Sequence, residues 1–161
     1  MKGFYRIEGI IGECNDEPYR GWTEMLSFSH GVHRQGTMDR ADHMDVSVIK
    51  VSDRTSPTIA LSVCDGRHFR EARVILARNE GARERFMELR LQDVTISSYR
   101  PGASMQCADA RPIEEVSLHY EKIEWIWVPT AFEESAGREP LEVKSAWTLR
   151  ANTGEETGHE R

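Results

Sequence analysis

The side chains able to bind a metal, attack a carbonyl or move a proton are thinly spread along this chain. His30 and His33 lie three residues apart, with His43 and Asp45 downstream. A metal site can be drawn through them, but an i, i+3 spacing on a strand points the two rings to opposite faces. Zinc sites also show tighter ligand spacing, so no metal is expected. Cys64 and His68 have the residue types of a thiol nucleophile and its base. Cys64 is expected on the packed side of a short helix, and a buried thiol is inert. Carboxylates cluster at Glu114, Glu115, Glu121 and Glu124. On an exposed sheet they solubilise the surface and guard edges rather than form an acid/base pair. No GxSxG elbow, P-loop or GxGxxG run is present. No catalytic constellation and no cofactor are expected, which leaves a structural or binding role.

The composition sets wider bounds. At 161 residues the chain is expected to form one domain over residues 1–150, with a polar, disordered tail at 151–161. Its formal net charge is -6, which gives no electrostatic footprint for nucleic acid or an anionic membrane. No stretch approaches the ~20 apolar residues of a membrane span. The start, MKGFYRIEGIIGE, has no continuous apolar run and no small-residue cleavage site. The expectation is synthesis in the cytoplasm and, where the chain leaves the cell, export without a cleaved signal. Cys14, Cys64 and Cys107 are odd in number and widely spaced, with no CxxC. That excludes zinc ribbons and thioredoxin-like redox sites and predicts reduced thiols.

The elements read mainly as strands. In IEEVSLHYEKIEWIWVP, Ile113 to Pro129, Val116, Leu118 and Tyr120 share one phase, and Ile123, Trp125 and Trp127 take the other. A strand whose apolar phase slips by one residue either bulges and passes from one sheet to the facing one, or breaks into two strands at a turn. Glu121-Lys122 lacks turn residues, which favours the bulge. Residues 85–99 repeat the slip, with Met87, Leu89 and Leu91 before Gln92-Asp93 and Val94 and Ile96 after it. Two such strands predict a closed barrel of two packed antiparallel sheets with bulged strands. Phe4 to Glu13 and Val46 to Ser52 read as further strands, and 142–149 as a short one. Trp22 to Val32 reads as one strand, with Trp22, Leu26 and Phe28 toward a core and Met25, Ser27 and Ser29 away from it. The small hydroxyls of Ser27 and Ser29 would suit a smooth wall against cargo. The stretch His33 to Asp45 has almost no large apolar groups and reads as a long functional loop. One short helix is expected, with Ser56 as N-cap, Pro57 in its first turn and Asp65-Gly66 at its end. Ile59, Ala60, Val63 and Cys64 would face the barrel with Leu61 at the border, while Thr58 and Ser62 face away.

Several segments, in order, resemble the haemolysin-coregulated protein (Hcp) family, the tube subunit of the bacterial type VI secretion system. They are IEGIIGE at Ile7 to Glu13, LSFSHGV at Leu26 to Val32, SPTIALSVCDGRH at Ser56 to His68 and ELRLQDVTISSY at Glu88 to Tyr99. PIEEVSLHYEKIEW at Pro112 to Trp125 and KSAWTL at Lys144 to Leu149 complete the set. Two features depart from the family pattern: His30 stands where many members carry tryptophan, and residues 36–45 lack the usual glycine run.

The resemblance implies a β-barrel that closes with five copies into a hexameric ring. Rings would stack into a tube that a contractile sheath drives outward, tipped by a VgrG spike and carrying effector proteins in its bore. By the same resemblance Ser27 and Ser29 would line the bore, with Ser29 the foremost cargo contact. His33, Arg34, Gln35, Met38, Asp39, Arg40, His43 and Met44, within the loop Gly31 to Met44, would reach a neighbouring subunit or the next ring. Ile59, Leu61 and Val63 would pack the helix on the barrel. The alternatives are a bacteriophage tail-tube protein, a monomeric barrel holding a small apolar ligand, and a hydrolase using Cys64 and His68.

Overall fold

The computed structural model describes residues 1–37, 39–78, 84–103, 111–129 and 142–157. Strand β1 (Lys2–Ile7) pairs antiparallel with β2 (Thr23–Met25) on one side and β7 (His68–Ala77) on the other. β7 pairs with β8 (Arg85–Gly102), and β8 with β9 (Ile113–Trp127). The first half of β9 takes β6 (Val46–Val51) on its far side, and the second half takes β10 (Val143–Thr148). β6 pairs with β3 (Ser27–Ser29), which follows β2 after the single residue Leu26. The ladder thus leaves β1 through β7, β8, β9, β6 and β3 and returns to it through β2. Two walls share the long strands β8 and β9, as expected of the closed barrel.

The phase slip is found, but not as a bulge in one strand. Val116, Leu118, Tyr120 and Ile123 of β9 all line one core, as do Leu89, Leu91, Val94 and Ile96 of β8 and Phe69, Ala72 and Val74 of β7. Gln92 faces Lys122 and Val94 faces Tyr120, while Glu71 faces Gln92 and Phe69 faces Val94. No strand gains a residue relative to its neighbours across the slip. Three adjacent strands turn over together, at Arg70, Asp93 and Glu121. Asp93 takes the left-handed conformation there, with φ 51, one that Asp tolerates better than most residues. The true register shifts lie elsewhere: Phe86 is extra opposite Leu76/Ala77, and Ser97 is extra between Ile96 and Ser98.

Other expectations need correction. The segment 22–32 is not one strand. The chain changes partner at Leu26, which is 60% exposed, while Met25 enters the core. β2 follows β1 and β3 follows β6, so the inward phase restarts at the break. The opening strand ends at Ile7, followed by a turn at Gly9, φ 89. The long loop contains a small hairpin of β4 (Val32–His33) and β5 (Asp42–His43). The expected tail folds back as β11 (Thr153–Thr157) on β10. Its residues are all exposed, so no apolar alternation marked it as a strand. Gly154 fits because an added Cβ would lie 2.7 Å from the Trp147 ring. Met38 and Cys107 lie outside the described residues. Among the described residues no helix is long and apolar enough to cross a membrane.

The helix α1 spans Ser56–Asp65, with Pro57 in its first turn and Gly66 closing it at φ 64. Its N-cap is Thr55, not Ser56, and no side chain caps it. Ile59 is fully buried and Val63 packs partly against the core. Leu61, in contrast, is 55% exposed, Cys64 is exposed, and Ser62 is buried. The buried line is Thr55, Ile59 and Ser62, spaced four and three apart as one helical face requires. Ser62 can sit inward because its hydroxyl donates to the Thr58 carbonyl at 2.7 Å. The polar anchor at the helix start sets its roll, overriding the most apolar face.

That anchor is a buried ion cluster. Lys50 Nζ lies 2.8 Å from both Asp53 Oδ1 and Glu114 Oε2, with Lys50 and Glu114 almost wholly buried. Ser52 and Tyr99 hydroxyls donate to Glu114 Oε1, and Ser56 Oγ donates to Oε2. The Thr55 N–H donates to Asp53 at 2.9 Å. Burial alone would push the Glu114 carboxyl up, but Lys50, Ser52, Ser56 and Tyr99 outweigh it and hold the group at about 2.

Two measurements follow from this packing. Ile59→Ala should cost about 2–5 kcal/mol in urea unfolding, whereas Leu61→Ala should stay within roughly 0.5 kcal/mol. Because the Glu114 carboxyl is depressed in the fold, its contribution to stability is fully present above pH 4.5 and is lost as pH falls toward 2. Glu114→Gln should therefore be less stable at pH 7 and lose less stability than the parent between pH 4.5 and 2. Equal pH slopes for the two proteins would remove Glu114 from the account.

Candidate functional site

The outer face of the β3–β6–β9–β8 wall carries the feature hinted at by Ser27 and Ser29. Both serines are exposed. Register places Ser29 opposite Ser47, Ser47 opposite Ser117 and Ser117 opposite Ser98. Four hydroxyls from four strands thus form one row across the wall. Each lies out of phase with core-facing residues of its own strand: Phe28, Val48, Val116 and, past the extra residue Ser97, Tyr99. Ser47 and Ser117 hydroxyls meet at 2.9 Å. The neighbouring row reads Ser27, Ile49, Glu115 and Arg100, where Arg100 and Glu115 pair at 2.7 Å.

On the far side of the row stand Asp45, Ser97 and His119, the residue types of a hydrolytic triad. Their order rules that chemistry out. A triad needs imidazole between hydroxyl and carboxylate, so that the ring can take the hydroxyl proton. Here the carboxylate is in the middle: Ser97 Oγ donates to Asp45 Oδ2, and His119 Nδ1 lies 3.0 Å from Asp45 Oδ1. The His119 ring is held on the carboxylate and is not placed as the base of Ser97. Cys64 and His68 do not form the other proposed pair either, since the His68 ring is held by Asp93 at 3.0 Å.

The histidines do not converge as metal ligands. His33 is exposed and lies 3.5 Å from Asp42. His30 and His43 instead turn toward Tyr120 and Trp125. Among the described residues one group has ligand atoms close enough for an ion, Cys14, Asp16 and Glu24 within 4.8 Å of one another. Glu24 already pairs with Lys2 at 2.8 Å. The barrel interior is filled by Tyr5, Ile7, Phe69, Leu91, Leu118 and Tyr120, where a lipocalin-like protein would keep space for its ligand.

The hairpin forms the second surface. His33, Arg34, Gln35, Asp39 and Arg40 are exposed, and Met44 is exposed beside Val32. Arg40 Nη2 donates to the Leu149 and Arg150 carbonyls at 3.4 and 3.5 Å, and Asn152 Nδ2 donates to the Asp39 carbonyl at 3.2 Å. The loop is therefore tied to the β10–β11 turn. Among the expected contact residues that the structure describes, only His43 turns inward, against Tyr120, Trp125 and Trp147. Sequence reasoning missed Ser47, Ser98 and Ser117, although each sits out of phase with apolar neighbours. It also missed Asn152 and the role of His30, which no local pattern marks.

Comparison with known proteins agrees with this architecture. The family model described as type VI secretion system effector, Hcp, matches residues 4–127. Protein Hcp1 of Pseudomonas aeruginosa is 23% identical over 158 residues, covering 92% of this chain and 95% of that protein. The fold is shared with a solved type six secretion system protein at TM-score 0.85 and 22% identity, over 96% of this chain and 99% of the other. It is also shared with Hcp1 from Salmonella typhimurium at TM-score 0.80 and 19% identity, over 96% and 98% of the two chains. The family is named for a secretion-system protein and not for a reaction, in keeping with the disarmed Asp45–Ser97–His119 group. By the match across its barrel, this chain belongs to the Hcp family of type VI secretion system effectors.

Proposed function

We propose that this chain is the structural subunit of a type VI secretion tube, made in the bacterial cytoplasm and exported without a cleaved signal peptide. Six copies close into a ring, rings stack, and the tube carries effector proteins behind a VgrG spike when the sheath contracts. The observation that carries this reading is the hydroxyl row Ser29–Ser47–Ser117–Ser98 on an outer wall. A bore that must hold folded cargo and let it go needs a surface that is wetted, small in relief and poor in unpaired charge. A row of small hydroxyls in which Ser47 and Ser117 satisfy each other, beside the paired Arg100 and Glu115, meets that need better than an apolar or strongly charged wall. Ser29, at the β3 end of the row and exposed, is the foremost cargo contact, with Ser27 beside it.

The hairpin supplies contact between subunits or rings. Val32 and Met44 place exposed apolar groups on it, and His33, Arg34, Gln35, Asp39 and Arg40 surround them with donors and charges. Met38 belongs to the same loop in sequence. Such a mixture of apolar centre and polar surround is the composition of a specific interface. Head-to-tail contact of this kind closes into rings when the rotation permits.

Size-exclusion chromatography with light scattering should give a particle of about six times 18.4 kDa; an 18.4 kDa monomer at tens of micromolar would sink the reading. Six chains at -6 carry 6 × -6 = -36, so rings repel at low ionic strength. Sedimentation should accordingly show more stacked rings at about 0.5 M salt, where the Debye length falls below roughly 5 Å, than at 20 mM. Ser29→Arg should leave ring mass and unfolding unchanged while reducing the effector that co-elutes with the ring at least tenfold. Unchanged co-elution would take Ser29 off the bore.

A further inference from the structure

His30 and His43 lie on either side of the hairpin and meet the barrel at one aromatic patch. The His30 ring has its centroid 5.9 Å from that of Tyr120 and 6.1 Å from that of Trp125. The His43 ring lies 6.2 Å from both and stacks on Trp147 at 6.1 Å and 20°. Both His30 nitrogens are buried, and the Met44 backbone beside the ring is a weak partner that favours the protonated form. His43 Nδ1 is 3.2 Å from the Tyr120 hydroxyl, which itself donates to the Met44 carbonyl at 3.3 Å. With its proton committed to Met44, the Tyr120 oxygen can accept from a neutral His43 protonated on Nδ1. The Met44 N–H in turn donates to the Gly31 carbonyl at 2.9 Å, which draws the two histidines together.

We propose that the His30–His43 pair, seated on Tyr120, Trp125 and Trp147, is an acid-released latch that holds the β4–β5 hairpin down at neutral pH and frees it on protonation. A neutral His30 has a single N–H, which the Met44 backbone can take. An imidazolium has two, so one would lack a partner, along with a buried charge facing a second histidine, and burying an unpaired charge is far costlier than burying a neutral ring. Lifting the hairpin gives both rings water.

The charges around the pair do not cancel this. Asp42, on the His43 strand, favours protonated His43 and is itself engaged by exposed His33. From β9 the facing groups are the neutral Tyr120 and Trp125; Asp45 beyond them is taken by His119 and Ser97. From β10 the neighbour is the Trp147 indole, and Arg40 lines the same mouth. Burial, the dominant influence, lowers both histidines below the ordinary 6.5, aided at His30 by His43 and opposed weakly there by the Met44 backbone. The closed hairpin thus binds fewer protons than the open one. It is fully favoured above pH 6.5 and loses ground as pH falls below that value. The latch stands on contacts within one barrel and does not rest on the tube reading; if the hairpin also joins rings, acid would loosen that joint.

Hydrogen exchange of the full-length protein, corrected for intrinsic rates and compared within one oligomeric state, tests the latch. At pH 5.0, residues 30–44 should lose at least tenfold of the protection they have at pH 7.5, while β7, β8 and β9 keep theirs. The double variant His30→Phe/His43→Phe keeps flat rings and removes the titration, so its hairpin protection should be the same at both pH values. Should that variant fail to fold, NMR titration of the unaltered protein decides: His30 and His43 should titrate below the ordinary 6.5. Equal wild-type protection at the two pH values, a persisting transition in the double variant, or His30 and His43 titrating at or above 6.5 would each overturn it.

Discussion

A strand inside a ladder cannot change the face it shows to the core unless its neighbours change with it, because backbone pairing ties their pleats together. That constraint governs this barrel. β7, β8 and β9 turn over at the same level, Arg70, Asp93 and Glu121, with the pairing on either side in one register. One continuous hydrophobic core can then be lined by both halves of each long strand. Each of these strands serves two walls, so β9 can take β6 on its first half and β10 on its second. Strands twist with a fixed hand, and concentrating extra twist at one level lets a single sheet curl until β2 and β3 close it.

A second constraint is electrostatic. Lys50, Asp53 and Glu114 are buried together where β6, the helix start and β9 meet. Removing Lys50 would leave two carboxylates in the interior with no cation between them, which is strongly destabilising. The cluster also specifies position. Its hydroxyl donors come from Ser52, Ser56 and Tyr99, so the first turn of α1 can sit in one place only. The helix then presents Thr55, Ile59 and Ser62 to the barrel and leaves Leu61 and Cys64 in solvent.

With the interior committed to packing and the charge cluster, function falls to the surfaces. One wall presents a row of hydroxyls in which Ser47 and Ser117 bond to each other, and beside it the Asp45 carboxylate stands between Ser97 and His119. Opposite demands meet in the hairpin. It must expose His33, Arg34 and Gln35, yet it is tethered by Arg40 and Asn152 and seated through His30 and His43. A loop held by a few polar contacts and two titratable rings is the least strongly fixed part of an otherwise continuous ladder.

Periodicity alone was enough to read the barrel: the slips at Gln92-Asp93 and Glu121-Lys122, the helix bounded by Pro57 and Gly66, and the serines out of phase with Phe28. Those features are local, set by which side of a strand each residue occupies and by what a backbone position tolerates. Which serines stand side by side was decided only by register between distant strands, since Ser29, Ser47, Ser98 and Ser117 come from four separate elements. The same holds for β11, whose exposed residues carry no pattern and are ordered by pairing with β10. The helix face, too, went against its apolar period because a buried lysine and two carboxylates fixed the roll. Side-chain alternation is a property of one segment; a partner across the barrel is a property of the whole chain closing on itself, and local spacing holds no record of it.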